Sequence, residues 1–388
     1  LILLGGDALT MLGVGFVLPI LPLLISRRGG SPLFVGVVFA SGVAVRALAQ
    51  YPAGWLADRW GHRPVIVASL LVYGLGFPLY AVRMPFALLL VLRCVQAIGG
   101  GSYYPAAAAV LGGLVDDERR GRAFAQLRAA DMFGLLAGPA VGGLVAGYSL
   151  DAVFVVAGVV CLVAAGLMLL LPRRPRLVAA SAAARGPQGG ALGVARVLIP
   201  VMALGIPISW WSGTFDSVWS LYLTGRGAAP GMVGLSFAVF AVPVVLLSST
   251  AGRVADRAGY AVASSVAVLT YGVAASAYSA TTSVPLLISM LLIEGTLSAA
   301  GSPALAAEVC RNARPGVEAR TQAVYQTVLL LAQVAGSVGG GALYERRPTD
   351  AFLATTVVCV AGVVVSAAVR RARVGRTLPA DAVPALAA

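Results

Sequence analysis

The chain has 388 residues, 59% of them hydrophobic and 11% charged, with a mean hydropathy of +0.90 and a formal net charge of +13 carried by arginines alone, since there is no lysine. So apolar a composition places the chain in a bilayer rather than in water. A single histidine, His62, and four cysteines without Cys-x-x-Cys spacing (Cys94, Cys161, Cys310 and Cys359) exclude histidine-based metal sites and Ser-His-Asp chemistry, and the lack of lysine excludes a Gly-x-x-x-x-Gly-Lys phosphate loop. Neither a cofactor nor a metal is expected, and nothing marks the chain as an enzyme.

About 20 apolar residues cross the hydrocarbon as a helix. In chain order such segments fall at 1–25, 33–53, 65–82, 86–110, 123–148 and 152–171, and again at 197–223, 232–254, 261–280, 284–308, 321–344 and 351–369. The first lacks a basic leader and a cleavage site, so it reads as a membrane helix and not a signal peptide. Residues 172–196 are rich in Pro, Arg, Ala and Gly and read as a linker. The expected organisation is therefore a bundle of six helices at 1–171, a cytoplasmic linker at 172–196, and a second such bundle with a short tail at 197–388. If both termini are cytoplasmic, 19 arginines lie on that side and six (Arg27, Arg28, Arg83, Arg226, Arg346 and Arg347) on the other. This is the positive-inside asymmetry of a multi-pass protein of the cell inner membrane, and it explains the net charge without a nucleic-acid partner.

One short pattern is written twice. Gly54-Trp-Leu-Ala-Asp58-Arg59-Trp-Gly61 recurs as Gly252-Arg-Val-Ala-Asp256-Arg257-Ala-Gly259, 198 residues later. The same offset aligns Val35-Gly36 with Val233-Gly234, Pro105 with Pro303, Arg122 with Arg320, and Gly138, Gly142 and Gly143 with Gly336, Gly340 and Gly341. The chain is thus two similar halves, the construction of many secondary transporters.

With Arg63, the first copy of that pattern resembles the loop motif between spans 2 and 3 of the major facilitator superfamily. Leu92-Arg93-Cys-Val-Gln96-Ala-Ile-Gly99-Gly100 is similar to its span 4 motif, whose arginine is associated with proton coupling. Gly134-Leu-Leu-Ala-Gly138-Pro139-Ala-Val-Gly142-Gly143 is similar to the span 5 motif of antiporters. The resemblance, to the twelve-span drug:proton antiporters, implies an all-α integral membrane protein with twelve transmembrane helices in two pseudo-symmetric six-helix bundles. It also implies a latch: Gly54, Asp58, Arg59, Gly61 and Arg63 near Arg320 at the start of span 11, and Gly252, Asp256 and Arg257 near Arg122 at the start of span 5, close the cytoplasmic side in the outward-open state. The alternative is that these loops only anchor topology. In span 5 the glycines at four-residue spacing make a smooth packing stripe and Pro139 bends the helix; by resemblance Gly138 is expected against span 8. Relatives carry an acid at the position of Thr10, with Asp7 one turn earlier here.

Ionisable side chains inside a membrane are costly and persist with a partner or a task. Counting along the expected helices puts Arg46, Asp131 and Glu294 near mid-membrane and Arg93 and Asp216 in the outer half, with Asp7 on span 1. Arg128 and Asp131, three residues apart, either neutralise each other or leave Asp131 free to act. Glu294 has no basic neighbour within a turn, and its repeat partner is the neutral Gln96. It is therefore expected to lead proton exchange, against the alternative of a permanently neutral buried carboxyl, with Asp131, Asp216 and Asp7 as further acids and Arg93 tuning protonation. Trp210, Trp211, Tyr103, Tyr104 and Tyr325, with Trp219 and Tyr222, are expected to line a cavity for a flat cation that Glu294 attracts, although interfacial anchoring explains the aromatics too; Arg46 is expected at the substrate site either paired with an acid or in contact with an anionic substrate.

The expectation is a monomeric, proton-coupled exporter of small lipophilic, cationic compounds, a multidrug efflux protein working by alternating access with no partners beyond substrate, protons and lipid. The alternative is a transporter of a polar metabolite such as a sugar or amino-acid derivative, with Arg46 and Arg93 as substrate ligands. A receptor or membrane-embedded enzyme is a third class.

Overall fold

A computed structural model describes residues 2–115, 117–171, 191–312 and 318–377. Among these residues the secondary structure is helical, without strands, and twelve segments are long and apolar enough to cross a membrane. The first half comprises α1 (Ile2–Val17), α2 (Leu21–Arg27), α3 (Pro32–Trp60), α4 (His62–Leu79), α5 (Phe86–Leu114), α6 (Asp117–Tyr148) and α7 (Leu150–Met168). The second comprises α8 (Ala191–Thr224), α9 (Pro230–Ala258), α10 (Tyr260–Ala280), α11 (Val284–Ser298), α12 (Gly301–Asn312), α13 (Glu318–Arg346) and α14 (Asp350–Thr377).

Two expected spans are broken rather than continuous. The first is divided into α1 and α2 at residues 18–20, beside Pro19 and Pro22, which have no N–H to give the helical ladder. The tenth is divided into α11 and α12 at Ala299 and Ala300, just before Gly301 and Pro303. Pro105, the repeat equivalent of Pro303, lies inside an unbroken α5, so proline alone does not set the break. Six residues of the expected linker, 191–196, belong to α8, and α14 continues into the expected tail; residues 172–190 lie outside the described ones.

The repeat is visible in the helix ends. Gly61 and Gly259, 198 apart, have φ of 94° and 88°, and their N–H groups bond to Ala57 O and Ala255 O. A side chain is disfavoured in that backbone region, which explains why the duplicated motif ends on glycine. Arg28 Nη2 donates to Tyr80 O (2.5 Å) at the end of α4, and its equivalent Arg226 donates from Nε to Thr281 O (3.3 Å) at the end of α10. In both halves an arginine thus satisfies the open carbonyls of a helix C-terminus.

Within the first half α1 packs on α6 and α7, α3 on α5 and α4 on α7; the halves meet where α3 packs on α13 and α6 on α9. These inter-half contacts use backbone against backbone. A Cβ on Gly143 would stand 2.9 Å from Gly234 Cα, one on Gly341 would stand 2.5 Å from Pro32 O, and Gly36 lies against Ser337 O. Leu33 N also donates to Glu345 Oε2 (3.2 Å) across the interface. All these contacts lie at the end of the bundle away from the duplicated loops. At the loop end Leu48, Tyr51 and Leu246 are 76%, 89% and 71% exposed, and nothing lies within 4 Å of a Cβ built on Gly54 or Gly252. Among the described residues, the close glycine contacts between the halves are thus made at one end of the bundle and not at the loop end.

Candidate functional site

The glycine stripe of α6 is laid along α1. A Cβ on Gly134 would stand 2.6 Å from Ala8 O, on Gly138 2.7 Å from Gly15 Cα, and on Gly142 2.7 Å from Phe16 Cα. Gly138 therefore packs on span 1 of its own half and not on span 8, as expected from the resemblance; it is Gly143, with the carbonyl of Pro139, that meets Gly234 of α9. Five residues separate Gly138 from Gly143, a rotation that carries one side of α6 from its own bundle to the opposite one.

This close approach brings two acids together. Asp7 of α1 is fully buried and Asp131 of α6 is 4% exposed. Tyr103 Oη, from α5, donates to Asp7 Oδ1 (3.0 Å), and Arg128 Nη1 donates to Asp131 Oδ2 (3.3 Å). The other two oxygens, Asp7 Oδ2 and Asp131 Oδ1, are buried without a partner at the crossing where Gly134 of α6 meets Ala8 of α1. The Arg128 side chain is 63% exposed, so the cluster connects a buried core to an open face. Tyr103, expected in a cavity wall, is a 2% exposed donor to Asp7, and Thr10 turns its hydroxyl back to Gly6 O (2.7 Å).

Glu294 is solitary only in charge. Trp211 Nε1 donates to Oε1 (2.7 Å) and Tyr278 Oη donates to Oε2, so both oxygens are occupied, and the side chain is buried in the second half. The equivalent position in the first half repeats the contact: Tyr80 Oη donates to Gln96 Oε1 (2.8 Å), and Tyr80 and Tyr278 are 198 residues apart. That offset in the sequence was the signal that pairs these tyrosines with residues 96 and 294. Trp211, Trp219 and Tyr222 belong to the same packed cluster, Trp211 stacking on Tyr278 with ring centroids 6.1 Å apart. Trp210 Nε1 donates to Thr355 Oγ1 (3.2 Å) while its ring covers Gly339, and Tyr325 is 3% exposed. Of the expected aromatic lining only Tyr104, at 40% exposure, is open. Aromatic rings with a polar tip satisfy buried acceptors while filling core volume, which explains their place.

A third group spans the halves. Asp216 of α8 lies beside Gln333 of α13 and in the field of Arg46 and Arg93 from the first half. Arg93 sits over the Phe39 ring (5.7 Å to the centroid), in space left by Gly42, whose Cβ would stand 2.7 Å from Arg93 Nε; that nitrogen is buried without a partner. Arg46 is exposed. Gln333 carried no sequence signal, because its contact is made only when α8 and α13 pack.

At the loop end, the side chains of Asp58 and Arg320 lie outside the described residues. Arg59 stands over Trp55 (5.5 Å), Arg63 donates to Leu169 O at the end of α7, and Asp256 accepts from Tyr260 Oη (3.0 Å). Asp256 and Arg257 are exposed, and Asp256 makes no ion pair with Arg122 among the described residues. The expected latch contact between them is thus not made in the described state. Gly54 and Gly252, expected at close helix contacts, have nothing within 4 Å of a Cβ.

The family model described as Major Facilitator Superfamily matches residues 3–222, and a second, described as the MFS_1 like family, matches residues 195–354. Among curated proteins the chain is similar to the class C tetracycline resistance protein of Escherichia coli, 34% identical over 174 residues covering 44% of this chain and 43% of that one. It is similar also to the quinolone resistance protein NorA of Staphylococcus aureus, 24% identical over 219 residues covering 56% of each. The chain thus spans about half the length of the curated relatives it matches. In fold it resembles a bacterial homolog of the human lysosomal transporter Spinster in an inward-facing, occupied conformation (TM-score 0.78, 17% identity, covering 95% of this chain and 96% of that one). It likewise resembles the nucleoside transporter NupG (TM-score 0.77, 12% identity, covering 95% and 98%). With the duplicated loop motif, the glycine-packed inter-half contacts and a family match over more than half its length, the chain belongs to the Major Facilitator Superfamily.

Proposed function

We propose that this protein is a secondary transporter that exports small drug-like molecules in exchange for protons. The observation that carries the reading is the pairing of two halves, in glycine contact at one end and with open space at the loop-end Gly54 and Gly252, with carboxyls buried inside the spans. A gated path with an ionisable group along it is what alternating access requires. The similarity to two resistance proteins supports a drug-like cargo, and the span 5 glycine stripe supports antiport. Placing the arginine-rich loops in the cytoplasm makes the described state open to the inside, with both termini cytoplasmic in the inner membrane. The duplicated loops then close in the opposite state, where Asp58 and Asp256 find their partners. The protein works as a monomer, since each path lies between the halves of one chain.

We assign the leading proton role to the acids with a free oxygen, Asp7 and Asp131, rather than to Glu294, whose oxygens are both occupied; the free oxygens support this reading. Asp216, facing Arg46 and Arg93 across the halves, responds to cargo. A second reading follows from the same place: two arginines and one acid leave an excess positive charge between the halves, which favours a substrate bearing an anionic group and hence a polar metabolite. Efflux from proteoliposomes, with and without an imposed pH gradient, tests both. Gradient-driven export of a fluorescent cationic drug supports the first reading; transport only of anionic or zwitterionic probes supports the second; no response to the gradient overturns proton coupling.

A further inference from the structure

We infer that Asp7 and Asp131 hold one proton between them and titrate as a single unit. The unit's part in transport rests on the proton-exchange reading above; its existence does not. Each carboxyl has one oxygen occupied by a donor, Tyr103 Oη on Asp7 and Arg128 Nη1 on Asp131, and one buried oxygen with none. The two carboxyls lie at the same crossing of α1 and α6, where a Cβ on Gly134, three residues on from Asp131, would stand 2.6 Å from the carbonyl of Ala8, next to Asp7, and both free oxygens are buried there. An ionised carboxylate only accepts, so two such oxygens in contact leave both unsatisfied and repel. One proton between them satisfies both and, with Arg128, makes the cluster electrically neutral.

Among the described residues, the ionisable groups facing the pair are Tyr103 from α5 and Arg128 from α6; α1 adds the Thr10 hydroxyl, and α7 turns Leu167 and Met168 toward Gly5 and Gly6.

The repeat separates this cluster from a packing requirement. Advancing each residue by 198 gives Gly205 for Asp7, Leu329 for Asp131, Gly301 for Tyr103 and Gln326 for Arg128. In the second half the equivalent helices make the equivalent contact without a carboxyl: a Cβ on Gly205 would stand 2.7 Å from Leu329 Cδ2 and 3.0 Å from Tyr325 Oη. The fold therefore closes at this point without acids. Losing the shared proton leaves two negative charges beside one arginine, an attractive site for a cation; regaining it releases that attraction, so proton and cation compete for one charge.

The test is infrared difference spectroscopy of the purified full chain in nanodiscs during a pH titration, with no substrate needed. The wild type is expected to show one protonated-carboxyl band at neutral pH. Asp7→Asn and Asp131→Asn each lose that whole band, because the new amide donates the hydrogen bond that the shared proton made, and the double variant loses no more than either single one. Tyr103→Phe keeps the band and shifts it, having removed only the donor on Asp7. The inference is overturned if either single Asn variant retains the band, if the double variant loses twice the signal, or if Glu294→Gln alone removes it. A preserved band change together with efflux indifferent to pH leaves the pair standing and sinks the transport reading instead.

Discussion

The two halves solve the same packing problem with different chemistry at two matched places. At one, Tyr80 with Gln96 and Tyr278 with Glu294, a tyrosine hydroxyl caps the side chain of a neighbouring span in both halves; the second half adds Trp211, whose repeat equivalent is Gly13, and an acid in place of the amide. At the other, the first half has Asp7, Asp131, Tyr103 and Arg128 where the second has Gly205, Leu329, Gly301 and Gln326. A polar contact kept in both halves is explained by the fold; one present in a single half calls for another reason. By that criterion the proposal assigns Glu294 to the architecture and the acid pair to proton exchange.

The comparison is tested first by overpacking the helix contact that both halves share. Gly138→Leu drives a side chain into the backbone of Gly15 and Leu12, and Gly336→Leu does the same against Trp210. Each is expected to destabilise the protein by about 3 kcal/mol or to prevent folding, since backbone cannot step aside. Thermal unfolding in detergent measures this, and a large difference between the two would break the equivalence of the halves. Gly54→Leu, bordering open space here, is expected to fold normally and yet lose transport, because the closed state brings the loops together; wild-type efflux from that variant would remove the latch.

Glu294 gives the next largest effect. Glu294→Leu strands two buried donors, Trp211 Nε1 and Tyr278 Oη, and should cost about 2–3 kcal/mol. Glu294→Gln keeps one acceptor oxygen for the two donors, Trp211 Nε1 and Tyr278 Oη, so it should cost less than Glu294→Leu, about 1–2 kcal/mol, and its transport should keep its pH dependence. If the pH dependence vanishes in a folded Glu294→Gln protein, proton coupling returns to Glu294 and the symmetry criterion fails. The smallest effect sharpens the repeat itself: Gly61→Ala and Gly259→Ala should each cost about 1 kcal/mol for the positive φ they share. Unequal losses would mean that the two loop turns are not held alike.

Much of the architecture was legible before any coordinates. Twelve apolar segments, the 198-residue offset and the arginine asymmetry all come from requirements that act locally: a helix must be apolar for about 20 residues to cross the hydrocarbon, and a turn of positive φ needs glycine. The interruptions at residues 18–20 and 299–300 were harder to foresee, since Pro105 shows that a similar proline leaves a helix whole. Gly138 was recognisable as a packing glycine, but its partner was not, because a stripe of small residues says that something approaches and leaves open what.

The candidate site divides along the same line. Sequence alone determined which ionisable groups lie within spans, since their rarity in apolar runs is a local property. Only the tertiary structure decided which of them meet. Spacing along one helix shows Arg128 beside Asp131, but Asp7 reaches Asp131 only because three glycines let α1 and α6 come into contact, and Glu294 loses its apparent isolation only when α8 and α10 bring Trp211 and Tyr278 to it. Hydrogen bonds between residues far apart in the chain are made by the crossing of helices, and the periodicity of a single helix carries no record of them.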